Sequence, residues 1–255
     1  MKGALCGFRN ITPGFRSSGN TMSALIGLPV FLCGTAYGQV VLDDFSASNE
    51  SKYTFLPVFA APSDGWAVTG GELRPSIDGN ASATWLWNQG EKLSASGNTI
   101  SISLSLSADA DNGFPSSIGL FLAADPGSVG FGHEISQTTI GGIWSYSVDG
   151  SAQQAASAPS GPVLLTIQRT GQTVDGFVYT TSFSGGGLPS PLTDFFTDAS
   201  PSLLFGPFAY NTAGTPAALD NFTFTAVPEP SMYATVFGFL ALTMGVIRAR
   251  TARRS

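Results

Sequence analysis

Histidine, cysteine and positive charge are all scarce in this chain. Its 255 residues contain one histidine, His133, and two cysteines, Cys6 and Cys33, and only 11% are charged. Zinc sites are built mainly from several His or Cys ligands, so no zinc centre is expected. One histidine also allows no more than one nucleophile–base–acid triad. Both cysteines precede residue 39, so the remainder must hold together without a disulfide. Between Gln39 and Val227 there are four basic residues, Lys52, Arg74, Lys92 and Arg169, against sixteen acidic ones, a balance of −12. Such a segment repels nucleic acid phosphates and anionic headgroups, so no nucleic acid partner is expected. It also lacks any run of about ten residues with helical periodicity free of Gly or Pro.

What the segment does have is period two. Ile100, Ile102, Leu104 and Leu106 alternate with Ser101, Ser103, Ser105 and Ser107, which sends the aliphatic residues to one face of a strand and the serines to the other. Val163–Arg169 and Thr173–Thr180 read as a hairpin turning through Thr170-Gly171-Gln172. Phe222 and Phe224 alternate with Asn221, Thr223 and Thr225. Further strands are expected at Val40–Phe45, Ala83–Trp87, Ser117–Ala123, Ile143–Val148 and Leu203–Tyr210. Turn clusters such as Asp64-Gly65, Asp78-Gly79-Asn80, Asp149-Gly150 and Gly185-Gly186-Gly187 separate them. Many short strands with regular turns predict an all-β antiparallel sandwich.

The two ends differ from this middle. Residues 1–38 combine Lys2, Arg9 and Arg16, an apolar stretch from Ala24 to Cys33, and small residues at Ala36 and Gly38. That is a secretory signal helix, with cleavage expected between Gly38 and Gln39. Its basic stretch is long, which leaves Met1 and Met22 as two candidate starts. At the other end, Pro228-Glu229-Pro230-Ser231 precedes an uncharged run from Met232 to Ile247, followed by Arg248, Arg250, Arg253 and Arg254. Sixteen helical residues span roughly 24 Å, close to a bilayer core, and the arginines favour the cytoplasmic side. The expected organisation is a signal peptide over 1–38, a sandwich over 39–226 and a tail over 227–255. The tail divides into a motif at 227–231, a transmembrane helix at 232–247 and a basic end at 248–255.

Val227-Pro228-Glu229-Pro230-Ser231, the hydrophobic run containing Gly238 and Gly245, and the arginine cluster resemble the PEP-CTERM sorting domain. The resemblance covers about a tenth of the chain. It implies export, transient anchoring in the inner membrane of a Gram-negative bacterium, and removal of the tail by exosortase, in hosts that secrete exopolysaccharide. The middle resembles a concanavalin A-like or laminin G-like jelly roll. The matching features are Asp43-Asp44-Phe45, Trp66, Gly71-Glu72-Leu73, the stretch Leu165 to Gly171, and Asp220-Asn221-Phe222. In such a fold the first and last strands pair.

Jelly rolls include glycosidases, which need two carboxyls flanking one bond. The acids here, Glu50, Glu72, Glu91 and Glu134, occur singly, and Asp194 and Asp198 flank Phe195-Phe196 in a Pro-rich region that reads as a loop. No catalytic residue is assigned. His133, beside Glu134, reads as a turn or strand-edge residue. No cofactor is expected except a structural calcium, with candidate ligands Asp43, Asp44 and Asp220 at the strand ends, or Asp109 and Asp111 in an Asp/Asn-Gly turn. Trp85 and Trp87, and likewise Trp144 and Tyr146, share a strand face, so each pair is either an outward platform for glycan or part of the core. The serine ladder is either a flat polar face for ice or glycan, or an ordinary solvated face. The reading that follows is an exported surface or matrix protein, not an enzyme, sorted by exosortase and associated with exopolysaccharide. A glycan-active hydrolase and a purely structural matrix component are the alternatives.

Overall fold

The computed structural model describes residues 38–58, 65–77, 81–108, 114–127, 132–227 and 238–244. The leader up to residue 37, Asp109 and Asp111, the motif residues Pro228, Glu229, Pro230 and Ser231, and Arg248, Arg250, Arg253 and Arg254 lie outside these residues. Of the expected membrane span 232–247, the stretch 238–244 is described and is helical. Among the described residues no helix is long and apolar enough to cross a membrane.

The strands are β1 (Gln39–Asp43), β2 (Tyr53–Val58), β3 (Val68–Thr69), β4 (Glu72–Leu73), β5 (Ser82–Trp87), β6 (Thr99–Leu106), β7 (Ser116–Ala123), β8 (His133–Ile140), β9 (Ile143–Val148), β10 (Ser151–Gln154), β11 (Val163–Thr173), β12 (Gly176–Gly185), β13 (Leu192–Asp198), β14 (Leu204–Tyr210) and β15 (Ala217–Thr225). They form two antiparallel sheets. Sheet A runs β13-β12-β11-β6-β15-β4-β3, with β1 also against β15, and sheet B runs β10-β9-β8-β7-β14-β5-β2. This is the expected jelly-roll sandwich. The first and last strands do pair, Val40 opposite Phe224 and Val41 opposite Thr223.

Alternation builds the interior. Ile100, Ile102 and Leu104 of β6, and Val163, Leu165 and Ile167 of β11, are fully buried between the sheets. In β15 a bulge between Asp220 and Thr223, with Asn221 at φ +52°, resets the register so that Leu219, Phe222 and Phe224 all face inward. The left-handed position falls on Asn, which tolerates it best after Gly. Aromatic rings fill one end of the core: Tyr53 lies 4.8 Å from Trp66 and 5.2 Å from Trp87, and Trp66 lies 5.4 Å from Trp85. These tilted and edge-on contacts each add about 0.5–1.5 kcal/mol beyond area burial, supporting a domain without a disulfide.

One open alternative is decided and two expectations change. Trp85, Trp87, Trp144 and Tyr146 are not an exposed glycan platform, because all four are buried. Period two places each pair on one face but does not say which. Leu86 takes the opposite face of β5 and joins a second apolar cluster with Leu56, Phe121 and Phe208 on the outer side of sheet B. Gly171 is not the hairpin turn either; it lies at a bulge in β11, and the chain reverses at Val174-Asp175 before Gly176, whose φ of +138° suits glycine alone. The stretch around Asp194 and Asp198, read as a loop, is strand β13 paired with β12.

Every strand, and every buried core residue among those described, lies between Gln39 and Thr225, so the 39–227 segment contains the whole sandwich. Trp85→Ala in that segment is expected to lower unfolding stability by about 3–5 kcal/mol in urea titration, as removal of a fully enclosed ring does.

Candidate functional site

The outer faces of the two sheets are unlike. At the centre of sheet B, Leu86, Phe121, Phe208, Ser117 and Ser136 are all buried. Sheet A is open. Cross-strand register lines up Thr225, Thr99, Gln168, Thr180 and Phe195 in one row, and Thr223, Ser101, Thr166, Ser182 and Thr193 in the next. The charged residues of β6, β11, β12 and β13 are Arg169, Asp194 and Asp198, and all three share the inward register of Ile167, Tyr179 and Phe196. The outward register of these four strands therefore holds no charged residue in a domain that is strongly acidic overall, although Asp220 of β15 is outward beside Ser103 and Asp194 reaches the surface at the β13 edge.

The hydroxyls on this face are held in place by one another. Gln39 Nε2 donates to Thr223 Oγ1 at 3.0 Å, and Thr223 and Ser101 hydroxyls are linked at 2.7 Å. Gln168 Nε2 donates to Thr99 Oγ1 at 3.2 Å, and Thr170 and Thr180 are linked at 3.1 Å. Gln39, the expected first residue after cleavage, is thus part of the face, while Gly38 before it is exposed. Phe195 stands out of this surface 67% exposed, beside a shallow depression of about 360 Å³ lined by Val178, Thr180, Thr193 and Asp194. Sequence reasoning missed Phe195 because Leu192 to Asp198 does not alternate polar and apolar: Asp194 and Asp198 share the inward side with Phe196 and leave the apolar Phe195 outside.

The expected calcium ligands do not converge. Asp43 is buried, and its carboxylate accepts the Phe45 amide at 2.9 Å, Asn49 Nδ2 at 3.0 Å and the Tyr53 hydroxyl at 3.1 Å. That contact, with burial first, pushes the Tyr53 pKa up. Asp44 accepts the Ser46 amide, and Asp220 accepts the backbone and side-chain nitrogens of Asn221. Each carboxylate closes its own turn. Among the described residues no group of three or more His, Cys, Asp or Glu is arranged to hold a metal. The isolated acids are also locally engaged: Glu72 pairs with Arg74 at 2.6 Å, and Glu91 accepts Trp87 Nε1 at 2.7 Å. Val227, the first motif residue, is fixed to the sandwich by its amide donating to Asn98 Oδ1 at 2.9 Å.

His133 opens β8 and joins the sheets. Nδ1 meets Asp149 Oδ2 at 2.6 Å, Nε2 meets Asp198 Oδ2 of β13 at 2.9 Å, and the ring stacks on Phe196 at 4.2 Å. Burial alone lowers the imidazole pKa, but hydrogen bonds to Asp149 and Asp198, together with their charges, outweigh it and raise the pKa above the usual histidine range. Asp198 is held low: burial opposes ionisation, and hydrogen bonds from Ser200 and His133 overcome it. Glu134 faces away from His133 along the strand and is pushed up by burial, so the two do not form an acid–base pair. With both ring nitrogens engaged, His133 has no free lone pair for a substrate proton.

A raised histidine pKa stabilises the fold fully below the unfolded value near 6.5, and the contribution fades as pH rises through the folded value. Asp198 adds stability above the unfolded carboxylate range that fades as pH falls through its lowered value. Thermal melts from about pH 6 to about pH 9 should show the wild type losing on the order of 1 kcal/mol, or about 2–4 °C, that His133→Gln does not lose.

No family model matches this chain, and no curated protein matches its sequence. Solved structures resemble it only at low identity and with TM-scores below 0.5. Lectin I-B4 from Griffonia simplicifolia is 11% identical, with 74% of this chain and 98% of that one covered and a TM-score of 0.49. A galectin-like protein of unknown function from Bacillus subtilis is 12% identical over 74% and 94%, with a TM-score of 0.44. An alginate lyase from Aplysia kurodai is 9% identical over 69% and 88%, with a TM-score of 0.41.

Proposed function

We propose that this chain is an exported envelope or matrix protein, without a catalytic centre, whose sandwich associates with exopolysaccharide through the outer face of sheet A. The observation that carries this reading is the hydroxyl-rich outer surface of β6, β11, β12 and β13, low in charge, with Phe195 projecting from it. Ordered hydroxyls lose little entropy when they exchange hydrogen bonds with sugar hydroxyls, and an aromatic face packs against the C–H side of a pyranose. Each contact is weak, but a polymer presents many copies, so binding grows with chain length. The low charge of this surface suits a neutral polymer, while the acidic remainder keeps the domain soluble. The engaged nitrogens of His133 support a binding role over a catalytic one.

The tail is the address. Residues 238–244 are helical, and Phe239, Leu240, Leu242 and Met244 are exposed, which fits a segment that meets lipid. In this proposal the secretion machinery exports the chain, the tail helix holds it in the inner membrane, and exosortase cuts near Pro230.

On a glycan array the 39–227 segment should bind polysaccharides, and Phe195→Ala should weaken the best of them about tenfold while leaving the melting temperature within error. Release of reducing sugar from any bound polymer would overturn the non-catalytic assignment. Mass spectrometry of protein from the native host should find a C-terminus near Pro230; an intact Arg254-Ser255 end would remove the sorting assignment.

A further inference from the structure

The hydroxyl face of sheet A does not end at Ser105. Beyond it a groove of about 400 Å³ is lined by Glu72, Arg74, Ser105, Ser107, Ser160 and Pro216. A second groove of about 330 Å³ shares Arg74 and Pro216 with the first and continues past Thr212. Leu73 pairs with Leu219 and both are buried, so Glu72 and Arg74 on either side of it lie in the outward register, Arg74 level with Ala218 and Ser105, and Glu72 level with Asp220 and Ser103. The face and the groove are one continuous surface.

Of the four basic residues of the domain, Arg74 is the one that lines these grooves; Lys92 is exposed in the segment before β6. Arg169 is buried, donating to the Ser94 and Pro201 carbonyls with its guanidinium over Phe177, and Lys52 sits over the Trp87 ring. Arg74 is half exposed and lines both grooves. Glu72 takes one of its N–H groups at 2.6 Å, and the others have no protein acceptor among the described residues. Around it the hydroxyls of Ser105, Ser107 and Ser160 also lack partners among those residues, and Pro216 offers an apolar edge. A planar guanidinium with free N–H groups, flanked by unpaired hydroxyls, matches a carboxylate carried on a sugar ring.

We propose that the Arg74 groove is a subsite for a carboxylate-bearing sugar, a uronic acid or an acid-substituted residue, at one end of the glycan track whose other end is Phe195. The inference rests on the glycan-binding reading above and adds a charge preference to it. From Thr99 to Ser105 the track runs roughly 20 Å along β6, and from β6 to β13 it crosses about 14 Å. Phe195 and Arg74 therefore engage different residues of the same polymer.

The test compares the 39–227 segment with neutral oligosaccharides and their C6-carboxylated counterparts of equal length, in gluco, galacto and manno series, by isothermal calorimetry. In at least one series the wild type should prefer the acidic oligomer by about five- to tenfold, with the preference shrinking as salt is raised. Arg74→Gln should abolish the preference, so that the two oligomers bind alike, and Glu72→Gln should widen it. If neutral oligomers bind but the acidic ones bind no better, or if Arg74→Gln leaves the ratio unchanged, the subsite is disproved and the neutral face stands. If nothing binds in any series, the glycan reading falls and the subsite falls with it.

Discussion

The last strand of the sandwich lies in the middle of sheet A, with β6 along one edge and β1 and β4 along the other. Sheet A therefore cannot close until β15 is in place, and the pairings that place it join residues more than a hundred positions apart. Long-range closure of this kind is slow to form and has no disulfide here to hold it. Its security comes from side chains: Leu219, Phe222 and Phe224 enter the core from β15, and Phe222 meets both Trp87 and Phe205 of sheet B. The Asn221 bulge makes this possible, since without the extra residue the two halves of β15 would present opposite faces to the interior.

How much of this the sequence disclosed depended on how local the determining signal was. The alternation in 99–106 named both faces of β6, and the β15 alternation was legible up to its bulge. The tryptophan pairs were not, because β5 is apolar on both sides; only assembly shows that Trp85 faces the sheet interface and Leu86 the second cluster. Gly171 carried a turn signal at a position where the chain needed a bulge. The Asp149–His133–Asp198 link was out of reach, since its partners are 16 and 65 residues away. Phe195 was hidden by two aspartates that turn inward.

Charge is distributed with a similar economy. Among the described residues, Asp43, Asp44 and Asp220 close turns, Asp149 and Asp198 hold the sheet-joining histidine, Glu72 pairs with Arg74, and no charged residue takes the outward register of β6, β11, β12 or β13. The surface left over is rich in hydroxyls and bordered by Arg74 with its partner Glu72. The inter-sheet link belongs to a different part of the architecture: His133 fixes the β8 end of sheet B to the β13 edge of sheet A, so the strand that carries Phe195 is held by a contact that responds to pH.

The bond from the Val227 amide to Asn98 has a mechanical meaning. Asn98 precedes β6, and Val227 follows β15, so the point where the tail departs is tied to the neighbouring strand. Tension applied through the tail, whether by a membrane or by a matrix to which the domain is joined, is delivered along β15. The hydrogen bonds on both edges of that strand then carry the load together, in shear, instead of opening one after another. A strand at the sheet margin would peel away under the same pull; this one can part from its neighbours only all at once.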